Sequence, residues 1–445
     1  MLKTILFVLI LLAPIFAQSQ PKLVPHKITL KDGKTFNLNL PADYEIIPAA
    51  EGLKRVRFFA KSPDGRIFVT DMYNLTDNRK GAIYILDDWN AETGKFGKII
   101  PYLTNLKNPN SVQFHKDEKG QNWLYLAETD RLTRRRFTTG ETQPTDANPQ
   151  TLAEFPDYGL SYKYGGWHLT RTIAFSPNGK LYVSVGSSCN ACREKEAVRA
   201  TVTEMNPDGS NQRIYAKGLR NAVDIKWIGK FLFATNQGAD HLGLNKPDET
   251  FYALKDGADY GWASCYQSNG KIFADAEHRR KENCRTVPKS YAFFPAHSSA
   301  LGFDYFDEQT TGETIKNSFL VALHGSTDKD LAKGYKIVIV RKGKNPQDFI
   351  NGFLQGKTVL GRPCGIMRLD ADSFLFTDDA SGIVYYVRRK GAITKIVAAA
   401  TAAPITEENL SSETNAKSLK SSASAAGNCF GAAVILLAGC LRLIF

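Results

Sequence analysis

The stretch GGWHLTRTIAFSPNGKLYVSVGSSCNAC, residues 165–192, decides the reading of the chain. It sets a Gly-Gly turn and His168 at the head of an alternating apolar run. A Pro-Asn-Gly turn follows, then a second run that ends in Gly-Ser-Ser and two cysteines. Alternation with period two on both sides of a glycine-containing turn marks a β-hairpin, because the glycine supplies the positive φ that the turn requires. The phrase recurs along the chain. Its copies are VRFFAKSPDGRIFVTD (56–71), SVQFHKDEKGQNWLYLAE (111–128), TRTIAFSPNGKLYVSVG (170–186), AVDIKWIGKFLFATNQG (222–238), ALGFDYF (300–306) with NSFLVALHG (317–325), and CGIMRLDADSFLFTDD (364–379). A lone hairpin sheet cannot bury both faces, whereas sheets packed around an axis can, and they leave only short edges. Six copies, each with room for two outer strands and almost no helical stretch between them, predict an all-β six-bladed β-propeller with one central site. The propeller is expected over residues 28–395, with the segment 28–44 closing the ring. The stretch between Cys265 and Cys284 reads as loop decoration on the binding face.

In such a blade the first strand begins, and the second ends, on the same face of the ring. That face should collect Arg57, Asn110, His168, Arg220, Asn221, His297, Ser298 and Arg362 from strand starts. From strand ends it should collect Asp71, Glu128, Gln237 and His324. Turn capping accounts for one or two of these, and a shared concave site accounts for the set.

Composition narrows the class. The 445 residues carry a formal charge of +12, with 43% hydrophobic and 23% charged residues, which is globular with a basic surface. The excess is a solvated face or an attraction for an anionic ligand. No basic helix, finger or aromatic nucleic-acid motif accompanies it, so nucleic acid is not an expected partner. Residues 1–17, MLKTILFVLILLAPIFA, read as a signal peptide: one lysine, a short apolar run, then small residues before QSQ. A secreted or extracellular protein is expected, periplasmic in a bacterial host. Sequons at Asn74 and Asn409 permit glycosylation in a eukaryotic one. Residues 396–428 read as a disordered polar stalk and 429–445 as a hydrophobic tail. Small residues before a terminal apolar tail fit a glycolipid-anchor signal and hence a membrane tether. The tail is short for a stable span, which needs about 20 apolar residues. Cys189 and Cys192 are close enough to bridge, and Cys265 and Cys284 can close a loop, although four cysteines allow three pairings. Cys364 is left over. A lone CxxC reads as a structural staple ahead of redox or zinc chemistry.

At these residues the chain resembles the soluble quinoprotein sugar dehydrogenases, in the glucose/sorbosone dehydrogenase branch with pyranose dehydrogenases as relatives. The matching text is the opening stretch, YAKGLRNAVDIKW, ATNQGADHLG, PDETFYALKDGADYGW, VALHGS with GYKIVIV, and GRPCGI with FTDDASGIVYYV, in order over residues 38–389. The resemblance implies a six-bladed propeller with pyrroloquinoline quinone (PQQ) and Ca2+ on its axis. It implies oxidation of the C1 hydroxyl of an aldose or related sugar, with electrons passed to an external acceptor.

Residue by residue, the resemblance implies the following roles. His168 matches the catalytic histidine, a base suited by its free pKa of about 6.5. The residue before it is Trp167, where the family's glucose enzymes carry an acid. Arg220 and Asn221 match the Arg-Asn pair beside the quinone, a planar cation and an amide that suit carboxylates and carbonyls. Arg220 also stands to stabilise developing negative charge. Gln237 precedes Gly238 and Ala239, which match the loop whose main-chain carbonyls hold calcium, with Asp240 and Glu249 as further oxygen donors nearby. Arg362 matches an arginine that meets a cofactor carboxylate. His324 stands where glucose enzymes place a cofactor lysine, with Lys336 as a substitute charge on the next strand and Ser298 near a hydroxyl contact.

Two other readings share the fold. A calcium-dependent lactonase needs carboxylates and amides converging on an axial metal, where this chain puts histidine and arginines. A binding module would have lost cofactor residues, whereas His168, Arg220, Asn221, Gln237 and Arg362 are all retained.

Overall fold

The structure, a computed structural model, describes residues 20–157, 168–278 and 284–396. The signal peptide, Trp167, the tail, Asn409 and all of the stalk except Ile396 lie outside the described residues. Six four-stranded antiparallel sheets form the blades. Five are ordered from the inside outward along the chain, and the sixth follows that order for three strands and takes its outer strand from the N-terminal region, so the first strand of every recurring hairpin is innermost. The inner strands are Val56–Lys61, Ser111–Lys116, Arg171–Phe175, Ala222–Ile228, Ala300–Phe306 and Pro363–Arg368, which define blades 1 to 6. Short 3-10 turns are the sole helical elements among the described residues, and none is long and apolar enough to cross a membrane.

The hairpin turns form as the glycine placement predicts. In Pro-Asp-Gly and Pro-Asn-Gly the glycines adopt φ +87° at Gly65 and +79° at Gly179. The same pair of 2.9 Å backbone bonds closes both turns, Gly65 N to Ser62 O with Ser62 N to Arg66 O, and Gly179 N to Ser176 O with Ser176 N to Lys180 O. One buried apolar cluster fills each gap between neighbouring blades. Each fully buried Phe, Leu or Ile there contributes about 1.5–3 kcal/mol by transfer alone.

The ring closes differently from expectation. Tyr44–Glu51 is the outer strand of blade 6, antiparallel to Ile383–Arg389. Most of the expected segment 28–44 instead belongs to a separate hairpin, Leu23–Thr29 with Thr35–Pro41. The cause is local: Asp32-Gly33 makes its own tight turn, with Gly33 at φ +84° and Gly33 N bonded to Leu30 O. The hairpin buries Ile28, Phe36, Leu38 and Leu40 over the junction of blades 5 and 6.

Two features shape the axis. Inner strands of blades 1, 4, 5 and 6 each shift register near their start, at Val56/Phe59, Ala222/Ile225, Ala300/Phe303 and Pro363/Ile366. Such bulges re-aim side chains. They turn Phe58, Val223, Leu301 and Cys364 into an apolar plug. The approach is close enough to exclude side chains, since a Cβ on Gly365 would stand 2.4 Å from Arg57 O. Threonine hydroxyls then stitch blade to blade: Thr70 to Asn110 O, Thr129 to Leu169 O, Thr235 to Leu301 O and Thr377 to Arg57 O.

Candidate functional site

Above the plug, the inner-strand starts gather two polar groups. The first centres on His168, which precedes the inner strand of blade 3 and holds a left-handed backbone, φ +50°. Arg171, fully buried, fixes that backbone by donating from Nη1 to His168 O at 2.8 Å. The imidazole Nδ1 lies 2.9 Å from both the carbonyl and the hydroxyl oxygen of Ser187. The carbonyl only accepts, and the Ser187 hydroxyl spends its hydrogen on Cys189 O at 2.7 Å. Nδ1 therefore carries the proton, and Nε2 carries the lone pair. Burial pushes His168 well below its ordinary pKa, and Arg220 adds to this against the bond to Ser187. The ring is neutral at neutral pH.

Gly186 lets this histidine meet Asn221. A Cβ there would stand 2.5 Å from His168 Cβ and 2.6 Å from Asn221 Oδ1. Asn221 Nδ2 donates to Gln237 Oε1 at 2.7 Å, while its own Oδ1 is buried with no hydrogen-bond donor. Arg220 is 4% exposed and is gripped by Asn190, which accepts from Nε through its carbonyl at 2.8 Å and from Nη2 through its side chain at 2.9 Å. Asn190 lies between the cysteines of the Cys189–Cys192 disulfide, so the staple presents the residue that orients the arginine. Cys265 and Cys284 form the second bridge, and Cys364 is a buried free thiol pushed up to about 12 by burial.

The second group centres on Asp379, which is fully buried. It accepts from Arg57 at 2.6 Å, Arg55 at 3.1 Å and His324 Nε2 at 2.6 Å. Burial alone would raise its carboxyl, but these partners override burial and hold it well below the usual carboxylate range. Burial, with Arg362 and Arg57 nearby, outweighs Asp379 at His324 and lowers the imidazole. Arg57 Nε continues the chain of bonds to Asn110 Oδ1 at 3.0 Å.

The calcium-loop candidates lie beside Arg220. Gly238 is packed flush, since a Cβ would meet Pro247 Cγ at 2.6 Å. Ala239 opens the short 3-10 turn Asp240–Leu242. Asp240, its side chain 58% exposed, pairs with Arg220 and His297, each at 3.3 Å. Glu249 is buried beneath the loop, where burial pushes it up to about 8 while Arg220 opposes. Its Oε2 has no partner.

The structure does not bring every expected residue inward. Lys336 is spent on Asp348 of the outer strand at 2.8 Å, because the third strand of blade 5 already lies away from the axis. Ser298 turns its hydroxyl back onto Pro295 O at 2.7 Å. Arg362 reaches the blade 5 loop, donating to Gly325 O at 2.9 Å and Ser326 O at 3.0 Å. Asp71 and Glu128 are loop clamps: Asp71 accepts from the backbone of Lys54, Arg55 and Tyr73, and Glu128 from Lys107 N and Arg131. Asn74 is half-buried in a rim loop, its Oδ1 taken by Thr76 and Asn78. Conversely, Asp379, Ser187, Asn190 and Gly186 were not singled out from sequence. Asp379 is legible in the sequence, because it closes the second strand of the sixth copy where Asp71, Glu128, Gln237 and His324 close theirs. Nothing in the local pattern marks Asn190.

An open groove of about 1070 Å³ lies where the inner strands end, lined by Trp227, Phe231, Tyr305, Asp307 and Arg368 among others. It contains none of the expected site residues.

The axial donor set fits the implied groups. Arg220 and the cationic floor suit a polycarboxylate, and the orphaned Asn221 Oδ1 is an acceptor for which the described protein supplies no donor. The loop at Gly238–Asp240 offers main-chain and carboxylate oxygens, the hard donors calcium prefers.

No protein-family model matches the chain. An uncharacterised protein of Borreliella burgdorferi is 30% identical over 379 residues, spanning 79% of this chain and 91% of its own length. Among solved structures, the holo PQQ domain of pyranose dehydrogenase from Coprinopsis cinerea matches with a TM-score of 0.63 at 19% identity, over 79% of this chain and 97% of that one. The calcium structure of a Trichoderma reesei carbohydrate-active enzyme of family AA12 matches with a TM-score of 0.64 at 16% identity, over 79% and 96%. PQQ-bound aldose sugar dehydrogenase from Streptomyces coelicolor matches at 0.54 and 17%, over 78% and 99%. The chain therefore belongs to one family with the Borreliella protein, and its fold is that of the soluble PQQ-dependent sugar dehydrogenases.

Proposed function

We propose that this protein is a sugar dehydrogenase that uses PQQ and Ca2+ to oxidise the C1 hydroxyl of an aldose or related sugar. The observation that carries the reading is the fixed tautomer of His168: a neutral ring, Nδ1 protonated against Ser187, Nε2 directed to accept. The quinone supplies a two-electron acceptor when bound. His168 Nε2 takes the proton of the substrate hydroxyl. Arg171 and Gly186 hold that nitrogen in place, one through the His168 carbonyl and one by leaving room. Arg220 would hold the anionic cofactor edge, and Asn221, oriented by Gln237, would present its orphaned Oδ1 to a donor of the cofactor. Gly238, Ala239 and Asp240 supply oxygens to the cation. Burial strengthens each of these interactions because little water competes. Asp379 keeps Arg57 and His324 fixed beneath. Export by the N-terminal segment and tethering by the C-terminal tail belong to the same reading, as does glycan attachment at Asn74 and Asn409 in a eukaryotic host.

The test is a titration of the purified protein with PQQ and calcium, followed by dye reduction with a panel of aldoses. Failure to bind the quinone sinks the reading. Given binding and turnover, His168→Ala should abolish turnover while sparing quinone affinity. A variant that keeps its rate removes His168 from the role of base. Arg220→Gln should weaken both binding and turnover.

A further inference from the structure

We propose that His241, Glu277 and His278 form a second metal site, of the zinc class, that joins the loop beside the axial site to the disulfide-closed insertion. His241 sits in the short turn Asp240–Leu242 on blade 4. Glu277 and His278 follow the strand Lys271–Ala274 in the insertion that Cys265 and Cys284 enclose. Each of the three offers one ligand atom, and these atoms all lie within 4.8 Å of one another. The two imidazole centroids are 5.1 Å apart with the rings nearly perpendicular, at 86°.

Asp275 shows that the cluster is built. It is 1% exposed. One of its oxygens, Oδ2, takes His241 Nε2 at 2.7 Å. The other, Oδ1, accepts the backbone N–H of Glu277 at 2.8 Å and of His278 at 3.1 Å. A single buried carboxylate therefore positions all three ligand residues. A carboxylate acceptor fixes the hydrogen on Nε2 and leaves the lone pair on Nδ1. That Nδ1 is buried and has no hydrogen-bond partner. A histidine held through one nitrogen by a carboxylate, with the other nitrogen available, is the arrangement of metal-bound histidines.

Donor chemistry sets the class of ion. Two imidazoles and one carboxylate suit Zn2+, which takes three protein ligands and a water in open sites. Calcium, which asks for six to eight oxygens, is excluded by the same set. Glu277 is exposed, so water can reach the cluster. The other cluster of this kind among the described residues, Cys189, Cys192 and Glu194, has both sulfurs consumed in a disulfide.

The experiment uses the calcium-loaded, disulfide-intact protein, stripped of transition metals by a soft chelator. Zn2+ is titrated against a competing chromophoric chelator, and Co2+ is added in parallel for its visible spectrum. One Zn2+ per chain is expected, with a tetrahedral Co2+ band. His278→Ala and Glu277→Gln change partly or fully exposed side chains, so the fold should survive, and each should weaken binding at least 10-fold. Asp275→Asn should weaken it roughly 10- to 100-fold, as for partners that orient metal-bound histidines. Zn2+ affinity no tighter than roughly millimolar, or unchanged by both His278→Ala and Glu277→Gln, overturns the site. So does an octahedral Co2+ spectrum in the unsubstituted protein.

Discussion

Replacing Asp379 by Asn should destabilise the protein by about 4 kcal/mol at pH 7. The carboxylate is fully buried and accepts from Arg57, Arg55 and His324. Arg57 has 5% of its side chain exposed, so water cannot replace the lost partner, whereas Arg55, at 20%, is partly resolvated. Removing one member of a buried pair costs about 3–5 kcal/mol, because the charge left behind stays desolvated. Asparagine keeps the shape and one acceptor oxygen. With that oxygen at the Oδ2 position both arginines keep an acceptor and lose the opposing charge, while His324 Nε2 loses its acceptor, at about 1–3 kcal/mol. The assay is equilibrium urea unfolding followed by tryptophan fluorescence. Acid adds an internal control. The folded pKa of Asp379 lies below its unfolded value of about 3.9. The unfolded state therefore binds the proton first as pH falls, and stability is lost from about pH 4 downward. Asp379→Asn should show a smaller loss over that window than the unsubstituted protein. A cost below about 1 kcal/mol at pH 7, or an unchanged acid dependence, refutes the central role given to Asp379.

The remaining predictions concern the group around His168. Gly186→Ala should cost about 1–3 kcal/mol by overpacking against His168 and Asn221, and it should weaken quinone binding and turnover; a variant normal in both would disprove that contact. The His168 ring should remain neutral at pH 6 in the cofactor-free protein, read by NMR titration, because its folded pKa is depressed. The linked loss of stability then sets in as pH falls below about 6.5, and a midpoint at or above that value contradicts the burial. Converting Cys265 and Cys284 to serine opens a loop of sequence separation 19 and should lower stability by about 3 kcal/mol in thermal unfolding. Converting Cys189 and Cys192, separated by 3, should change stability less and instead weaken PQQ affinity through Asn190 and Arg220; equal stability losses for both pairs would refute the distinction.

Much of the fold was legible because the signals are local. Hairpin turns need glycine where φ is positive, and strands need alternation, so six copies of one phrase disclosed six blades. The ring closure was misplaced because Asp32-Gly33 carries the same turn signal as a blade hairpin. What distinguishes a closing strand is its partner, Ile383–Arg389, more than 300 residues away. At the candidate site, strand register places His168, Arg220 and Asn221 on one face, and the structure brings them together. Asp71, Glu128 and Ser298 share that register, yet they bond to nearby loops. Sequence spacing fixes the face of a strand on which a side chain lies, not the partner it finds there.

By itself, the sequence determined the all-β architecture, the number of blades, the face that gathers polar residues and the cysteines able to pair. Each of these follows from backbone geometry within a few residues. Only the tertiary structure decided how those groups act on one another. It set the tautomer of His168 through Ser187, the grip of Asn190 on Arg220, the burial that depresses the His168 pKa and the three donors converging on Asp379. Desolvation and hydrogen-bond geometry depend on atoms brought together from distant blades, and no local pattern encodes that approach. The opening stretch shows the division: its alternation makes a hairpin anywhere, and the ring around it fixes its histidine as a neutral ring protonated at Nδ1.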